Sequence, residues 1–195
     1  MSFLLIFAVL SALLTVASDW HTRYPSFYLF KPLTTALIAA WAWPTASLPI
    51  LLALLLCGLG DVALMFKGTL AFVLGLSAFL LGHGAFLLHF LPKMPALPVV
   101  GWLWAVALAA GAAGYLFYLW NSLGRLWPAV LLYVAVLWAM TVAAVASQQP
   151  AYIAGGLLFM ASDGVLAWRK FKQPFVGAQA LTLSTYYTAI TLLSS

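Results

Sequence analysis

Apolar residues fill this chain in long unbroken runs, separated by short polar or proline-bearing breaks. Runs of 16–23 residues occupy about 2–17, 29–46, 48–66, 69–90, 97–119, 128–146, 151–168 and 176–194. Each approaches the ~20 residues that a helix needs to cross the hydrocarbon of a bilayer. The runs are continuous rather than alternating, which fits helices and not the strands of a barrel. The pattern predicts an all-α polytopic membrane protein, eight transmembrane helices forming one domain over residues 1–195. Lys31-Pro32 stands at the start of the second run, where proline suits a first helical turn. Trp41, Trp43, Trp102, Trp104, Trp120, Trp127 and Trp168 lie near run ends, as interfacial aromatics do.

Composition excludes the alternatives. Hydrophobic residues make up 66% of the chain and charged residues 6%, with eight Lys or Arg, three Asp and no Glu. A soluble domain is about 25% charged, and a disordered one is poor in hydrophobic residues. The single cysteine, Cys57, leaves no disulfide framework and no cysteine-based zinc site. The eight basic residues are scattered, so the pI near 9.5 does not mark a nucleic-acid surface. Residues 1–18 hold no Lys or Arg and so lack the positive segment that opens a secretory signal. A bacterial inner membrane is the expected location.

The few charges orient the chain. The breaks after runs 1, 3, 5 and 7 hold Arg23, Lys31, Lys67, Arg125, Arg169, Lys170 and Lys172; those after runs 2, 4 and 6 hold only Lys93. The positive-inside rule then puts both termini outside and the odd-numbered breaks in the cytoplasm. An internal echo crosses this pattern. Gly60-Asp61-Val62-Ala63-Leu64 precedes Lys67, and Ser162-Asp163-Gly164-Val165-Leu166 precedes Arg169, at an offset of 102 residues. Two parallel four-helix repeats would produce it; so would chance similarity between two apolar helices. Each acid lies six residues before a basic one, which puts both about 9 Å inside the cytoplasmic boundary at 1.5 Å per residue.

Asp61 and Asp163 carry the candidate chemistry. An acid in a membrane helix costs roughly 2.5–3.5 kcal/mol at mid-depth and marks a functional site by default; the alternative is a hydrogen bond that packs two helices. Two acids at one depth can share a proton, one donating while the other accepts or stabilises positive charge. That suits acid-assisted cleavage of an ether or acetal-like bond, and equally a proton-coupled transporter or flippase. Asp19, beside His21 and Arg23, reads as a solvated loop residue or helix cap. His83 reads either as a neutral imidazole bonded to a backbone carbonyl or as a catalytic or substrate-orienting group. His89 reads as interfacial. A zinc ion would need His83, Asp61 and Asp163 together, and nothing in their spacing demands one, so neither metal nor cofactor is expected.

The remaining polar residues fall into support roles. Gly75-Leu76-Ser77-Ala78-Phe79 lacks the last glycine of a nucleophile elbow, so serine hydrolysis is disfavoured. Ser162 reads as a hydrogen-bonding neighbour of Asp163. Lys31 and Arg169 can meet a lipid phosphate at the cytoplasmic face, while Lys170 and Lys172 serve topology. Tyr186 and Tyr187 lie near mid-depth, where a hydroxyl needs a partner. Gly58, Gly60, Gly155 and Gly156 permit close helix packing.

Lys31-Pro32, Gly60-Asp61, Gly82-His83, Tyr133 with Met140, Ser162-Asp163 with Leu166-Ala167, and Thr185-Tyr186-Tyr187 follow one another along the chain. In order and spacing this set resembles the YhhN-like integral membrane family, the lysoplasmalogenases. The resemblance covers nearly the whole chain. It implies a hydrolase that cleaves the vinyl-ether bond of a lysophospholipid, the lysoplasmalogen, to a fatty aldehyde and glycerophosphocholine or glycerophosphoethanolamine. It implies Lys31, Asp61, His83, Asp163 and Tyr186 as site residues. Two positions depart from the family's pattern: Phe86 stands where a tyrosine is expected, and Ile190 where a glutamine is frequent.

Overall fold

Eight α-helices carry the eight apolar runs in a computed structural model that describes residues 2–20, 24–93 and 99–195. They are α1 (Ser2–Trp20), α2 (Tyr24–Ala42), α3 (Leu48–Ala63), α4 (Thr69–Phe90), α5 (Val99–Leu123), α6 (Trp127–Ala146), α7 (Pro150–Phe171) and α8 (Ala178–Leu193). Among the described residues every regular element is helical. The helices pack most closely as the hairpins α1/α2, α3/α4 and α7/α8; α6 bridges α4 and α7, and α8 closes back onto α1. The fifth helix leans on α6 and touches α7 lightly.

The distribution of side chains is that of a protein solvated by lipid. Phe3, Leu55, Leu81, Leu88, Val106 and Phe117 face outward, while Lys31, Thr34, Thr35, Asp61, His83, Thr141 and Ser162 are buried. In hydrocarbon an apolar exterior costs nothing, and each polar group must find its partner inside. Thr69–Lys93, Pro150–Phe171 and the stretch Gly101–Ala146, which holds α5 and α6, are long and apolar enough to cross a membrane; Phe3–Ala17 and Leu48–Ala63 are shorter apolar helices. The chain is an integral membrane protein. Small residues bring the hairpins together. A side-chain carbon at Gly60 would lie 2.6 Å from the Phe79 ring, and one at Gly155 would lie 2.8 Å from Leu193. At Gly156 and Gly58 the nearest neighbours would stand at 3.4 and 3.6 Å, progressively looser fits.

Three boundaries correct the sequence reading, and they move the site. First, α2 starts at Tyr24 rather than 29, so Pro25 takes the first turn and Pro32 lies inside the helix. Lys31 is therefore seven residues along α2, about 10 Å from its start. It is not a residue of the cytoplasmic break, and the charge asymmetry becomes six to one without it. Second, α3 ends at Ala63, two residues after Asp61, whereas α7 runs eight residues past Asp163. Equal spacing to a base thus does not mean an equal position along the helix. Third, α1 extends to Trp20 and takes in Asp19, which was read as a loop residue; His21 and Arg23 lie outside the described residues.

Candidate active site

The end of α3 explains why a lysine is buried. The backbone ladder passes over one carbonyl there: the Leu64 amide bonds Gly60 at 2.9 Å and the Met65 amide bonds Val62 at 3.1 Å, leaving the Asp61 oxygen between them. Lys31 Nζ donates to that oxygen at 3.1 Å and lies 3.4 Å from Asp61 Oδ1. One ammonium thus answers an orphan carbonyl at a helix C-terminus, where cations are favoured, and a buried carboxyl. Asp61 Oδ2 accepts the Thr35 hydroxyl at 2.7 Å and the Tyr186 hydroxyl at 2.8 Å. Thr35 follows Lys31 by four residues, so one face of α2 supplies both donors. A carboxyl surrounded wholly by donors suits the ionised, acceptor-only form.

Asp163 is built differently. It stands within α7, and Oδ2 accepts the Tyr133 hydroxyl of α6 at 2.7 Å. His83 Nε2 approaches the same oxygen at 3.8 Å, too far for a hydrogen bond. The His83 side chain is fully buried, neither ring nitrogen has a partner, and the ring lies against Phe159 and Tyr133 with centroids 4.5 and 5.2 Å away. A buried polar atom without a partner carries a desolvation cost of about 1–3 kcal/mol, and such exceptions in native proteins ask for an explanation. The expected bond to a backbone carbonyl is not made.

Two chambers meet at Asp163. A polar one of about 480 Å³ is lined by Lys31, Asp61, Lys67, Arg169, Lys170 and Tyr186, among others, and by Asp163. An apolar one of about 570 Å³ lies between α5, α6 and α7, with Leu116, Tyr133, Leu137, Gly164 and Trp168 in its walls, and again Asp163. Only Phe72, Asp163 and Leu166 line both.

The two acids therefore share one chamber, but among the described residues no hydrogen bond joins them. The direct contact through which two carboxyls would hold one proton is not made: Asp61 faces Lys31, Thr35 and Tyr186, and Asp163 faces Tyr133. Ser162 does not serve Asp163 either; its hydroxyl donates to the Thr182 carbonyl at 3.0 Å and ties α7 to α8. Tyr187 donates to the Lys31 carbonyl at 3.2 Å and so steadies α2 rather than the chamber. Arg169 lines the polar chamber, as do Lys67 and Lys170, which the sequence assigned to topology alone. His89 stands apart, between Ser47 Oγ at 2.6 Å and Lys93 Nζ at 2.7 Å. Phe86 and Ile190 are fully buried and line neither chamber. Among the described residues no cluster of three His, Cys, Asp or Glu forms a metal cradle.

Sequence reasoning missed Thr35 altogether and gave Tyr133 no role. A signal for both was present. Thr35 lies one turn beyond Lys31. Tyr133 is 30 residues before Asp163, as Lys31 is 30 before Asp61, so the offset of 102 relates the donors as well as the acids. The counterpart helices also exchange roles: α8 sends Tyr186 to Asp61, and α4 sends His83 towards Asp163.

Human lysoplasmalogenase TMEM86B is 50% identical over 40 residues, which is 20% of this chain and 18% of the human protein. The match thus spans under a fifth of that relative's length. No solved structure matches the chain. The family model for YhhN proteins covers residues 26–195, from the start of the Lys31 helix through both acids to the last helix, and the chain belongs to the YhhN family.

Proposed function

We propose that this protein is a membrane hydrolase that cleaves the vinyl ether of a lysoplasmalogen, giving a fatty aldehyde and a water-soluble glycerophosphodiester. One observation carries the reading: Asp163 stands where a basic polar chamber and an apolar chamber share a wall. A single-chain lysolipid has the same division. Its phosphate suits Lys67, Arg169 and Lys170, its chain suits the apolar chamber, and its ether lies at the junction. The human relative's name, lysoplasmalogenase, points the same way. Eight spans with both termini outside would put the polar chamber on the cytoplasmic side.

The chemistry follows from the two environments. Asp163 has no cationic partner, and it is the acid that can carry a proton to the vinyl carbon remote from oxygen. Protonation leaves an oxocarbenium ion on the carbon bonded to oxygen. Asp61, held ionised by Lys31, Thr35 and Tyr186, contributes a fixed negative charge to the same chamber and stabilises that cation without reorganising. Water adds to the cationic carbon and gives up a proton to the Asp163 carboxylate left by the first step. The hemiacetal collapses to aldehyde and alcohol with Asp163 protonated as before; His83, buried behind the chamber wall, approaches Asp163 Oδ2 at 3.8 Å and positions it. One water is consumed and Asp163 regains its starting state. Tyr133 orients Asp163.

The test is aldehyde release by purified protein from an alkenyl lysolipid, with the saturated ether lipid as control. Asp163→Asn should abolish release, and His83→Ala should lower it. Full activity in Asp163→Asn overturns the assignment. Lipid uptake driven by a pH gradient, without aldehyde, would favour the transporter reading.

A further inference from the structure

Gly60, Gly75, Gly82, Gly155 and Gly156 have a close neighbour that explains them, whereas Gly84, Gly111, Gly114 and Gly164 have none, and of these four Gly111 and Gly164 line the apolar chamber. A side-chain carbon at Gly60, Gly75 or Gly155 would come within 2.6–2.8 Å of a neighbour, and one at Gly82 within 3.3 Å. At Gly164 it would meet no atom within 4 Å. Nor does the backbone require glycine, since positive φ among glycines occurs at Gly68, Gly124 and Gly177. A glycine inside a helix costs about 1 kcal/mol relative to alanine, and here no contact offsets it. Gly164 does follow Asp163, lines the apolar chamber, and has its carbonyl fixed by the Tyr115 hydroxyl at 2.7 Å. Gly111, on α5, lines the same chamber and is equally open.

We propose that Gly164, with Gly111 in the wall formed by α5, determines the bulk and length of hydrocarbon chain the protein accepts, by keeping open the passage beside Asp163 through which the chain leaves the polar chamber. The occupant is an unbranched alkyl or alkenyl chain of a single-chain lipid. Asp163, Phe72 and Leu166 line both chambers and stand between them, so a ligand with a polar head in one and its chain in the other would pass beside these three residues. A branched or doubly acylated lipid would meet the helix backbone at Gly164. The inference rests on the hydrolase reading for its substrate and on the chamber for its geometry, and each is tested separately.

Gly164→Leu starts from a position where the first side-chain carbon meets no neighbour and extends into the apolar chamber, and Gly111→Leu does so from α5. Gly114→Leu is the control, being equally open but outside the chamber. Binding is read with a lysophosphatidylcholine brominated on its chain, which quenches Trp168 in the chamber wall; Trp168→Phe identifies that signal. The expected result is quenching by the long-chain probe in wild type and Gly114→Leu, and affinity about tenfold weaker in Gly164→Leu, equivalent to about two buried methylenes. Aldehyde release should fall selectively for long chains. Unchanged quenching and chain preference in both Gly164→Leu and Gly111→Leu overturn the proposal. Loss of quenching in a protein that releases no aldehyde supports the chain passage while refuting the hydrolase reading. Aldehyde release with no effect of either leucine refutes the passage alone.

Discussion

Removing Lys31 tests the electrostatic core of the site. In Lys31→Met the side-chain stem is kept and the ammonium is lost. Two partners are then left without it: the Asp61 carbonyl bonded at 3.1 Å and the carboxyl 3.4 Å away. Asp61 is 2% exposed, so water does not replace the missing charge. Breaking a buried pair by removing one partner costs about 3–5 kcal/mol, and the orphan carbonyl about 1–3 kcal/mol. Thr35 and Tyr186 still donate to Oδ2, which holds the total near 3–5 kcal/mol rather than the sum of both ranges. The diagnostic variant is Lys31→Met with Asp61→Asn. The amide keeps an acceptor for both hydroxyls and needs no counter-charge, so more than half of the lost stability should return. Denaturant unfolding in detergent micelles, followed by tryptophan fluorescence, measures all four members of this double-mutant cycle. A loss below about 1 kcal/mol in Lys31→Met, or simple additivity of the two substitutions, would refute the claim that Lys31 is retained to hold Asp61.

Further outcomes follow from other contacts. Tyr133→Phe should lower aldehyde release about tenfold or more while shifting the unfolding midpoint little, since one hydrogen bond contributes about 0.5–1.5 kcal/mol; equal loss of both would make Tyr133 a packing residue. Gly60→Ala should destabilise by about 1–3 kcal/mol through overpacking against Phe79, and Phe79→Leu in the same chain should recover part of it; additive losses would contradict that contact. A reporter fused to the C-terminus should be active only outside the cytoplasm, and a cytoplasmic signal would reject the orientation read from the basic residues.

How much of this was legible beforehand depended on the kind of signal. Apolar run length anticipated the eight α-helices among the described residues, of which Thr69–Lys93, the stretch Gly101–Ala146 and Pro150–Phe171 are long and apolar enough to cross the hydrocarbon. Their ends were less legible, and the most consequential miss was α2. Proline at 32 was given a first-turn role that Pro25 fills instead, and the error placed Lys31 at the membrane surface. The scarcity of acids singled out Asp61 and Asp163, and both line the polar chamber. Their partners were hidden for a physical reason: hydroxyl donors such as Thr35 and Tyr133 carry no charge and are tolerated anywhere in a membrane helix. Ser162 misled for the converse reason, since sequence adjacency to Asp163 puts its hydroxyl about 100° around the helix.

The asymmetry between the two acids bears on why a chain with an internal echo would use them differently. Each acid receives a donor from 30 residues before it, an amine in one half and a phenol in the other. Lys31 sets an amine 3.4 Å from the Asp61 carboxyl, whereas Tyr133 donates a neutral hydroxyl to Asp163. In the mechanism proposed above the first contact favours a fixed charge, and the second leaves the acid able to exchange a proton. If the halves descend from one four-helix unit, the divergence at this one donor position would divide an acid pair into a fixed charge and a proton carrier. Tyr133→Lys should then impose the first role on the second acid. The protein should remain folded, because a buried Lys–Asp pair is already accommodated at the equivalent place, and aldehyde release should be lost. A variant that stays active with an amine beside Asp163 would show that the donor's chemistry does not separate the two roles.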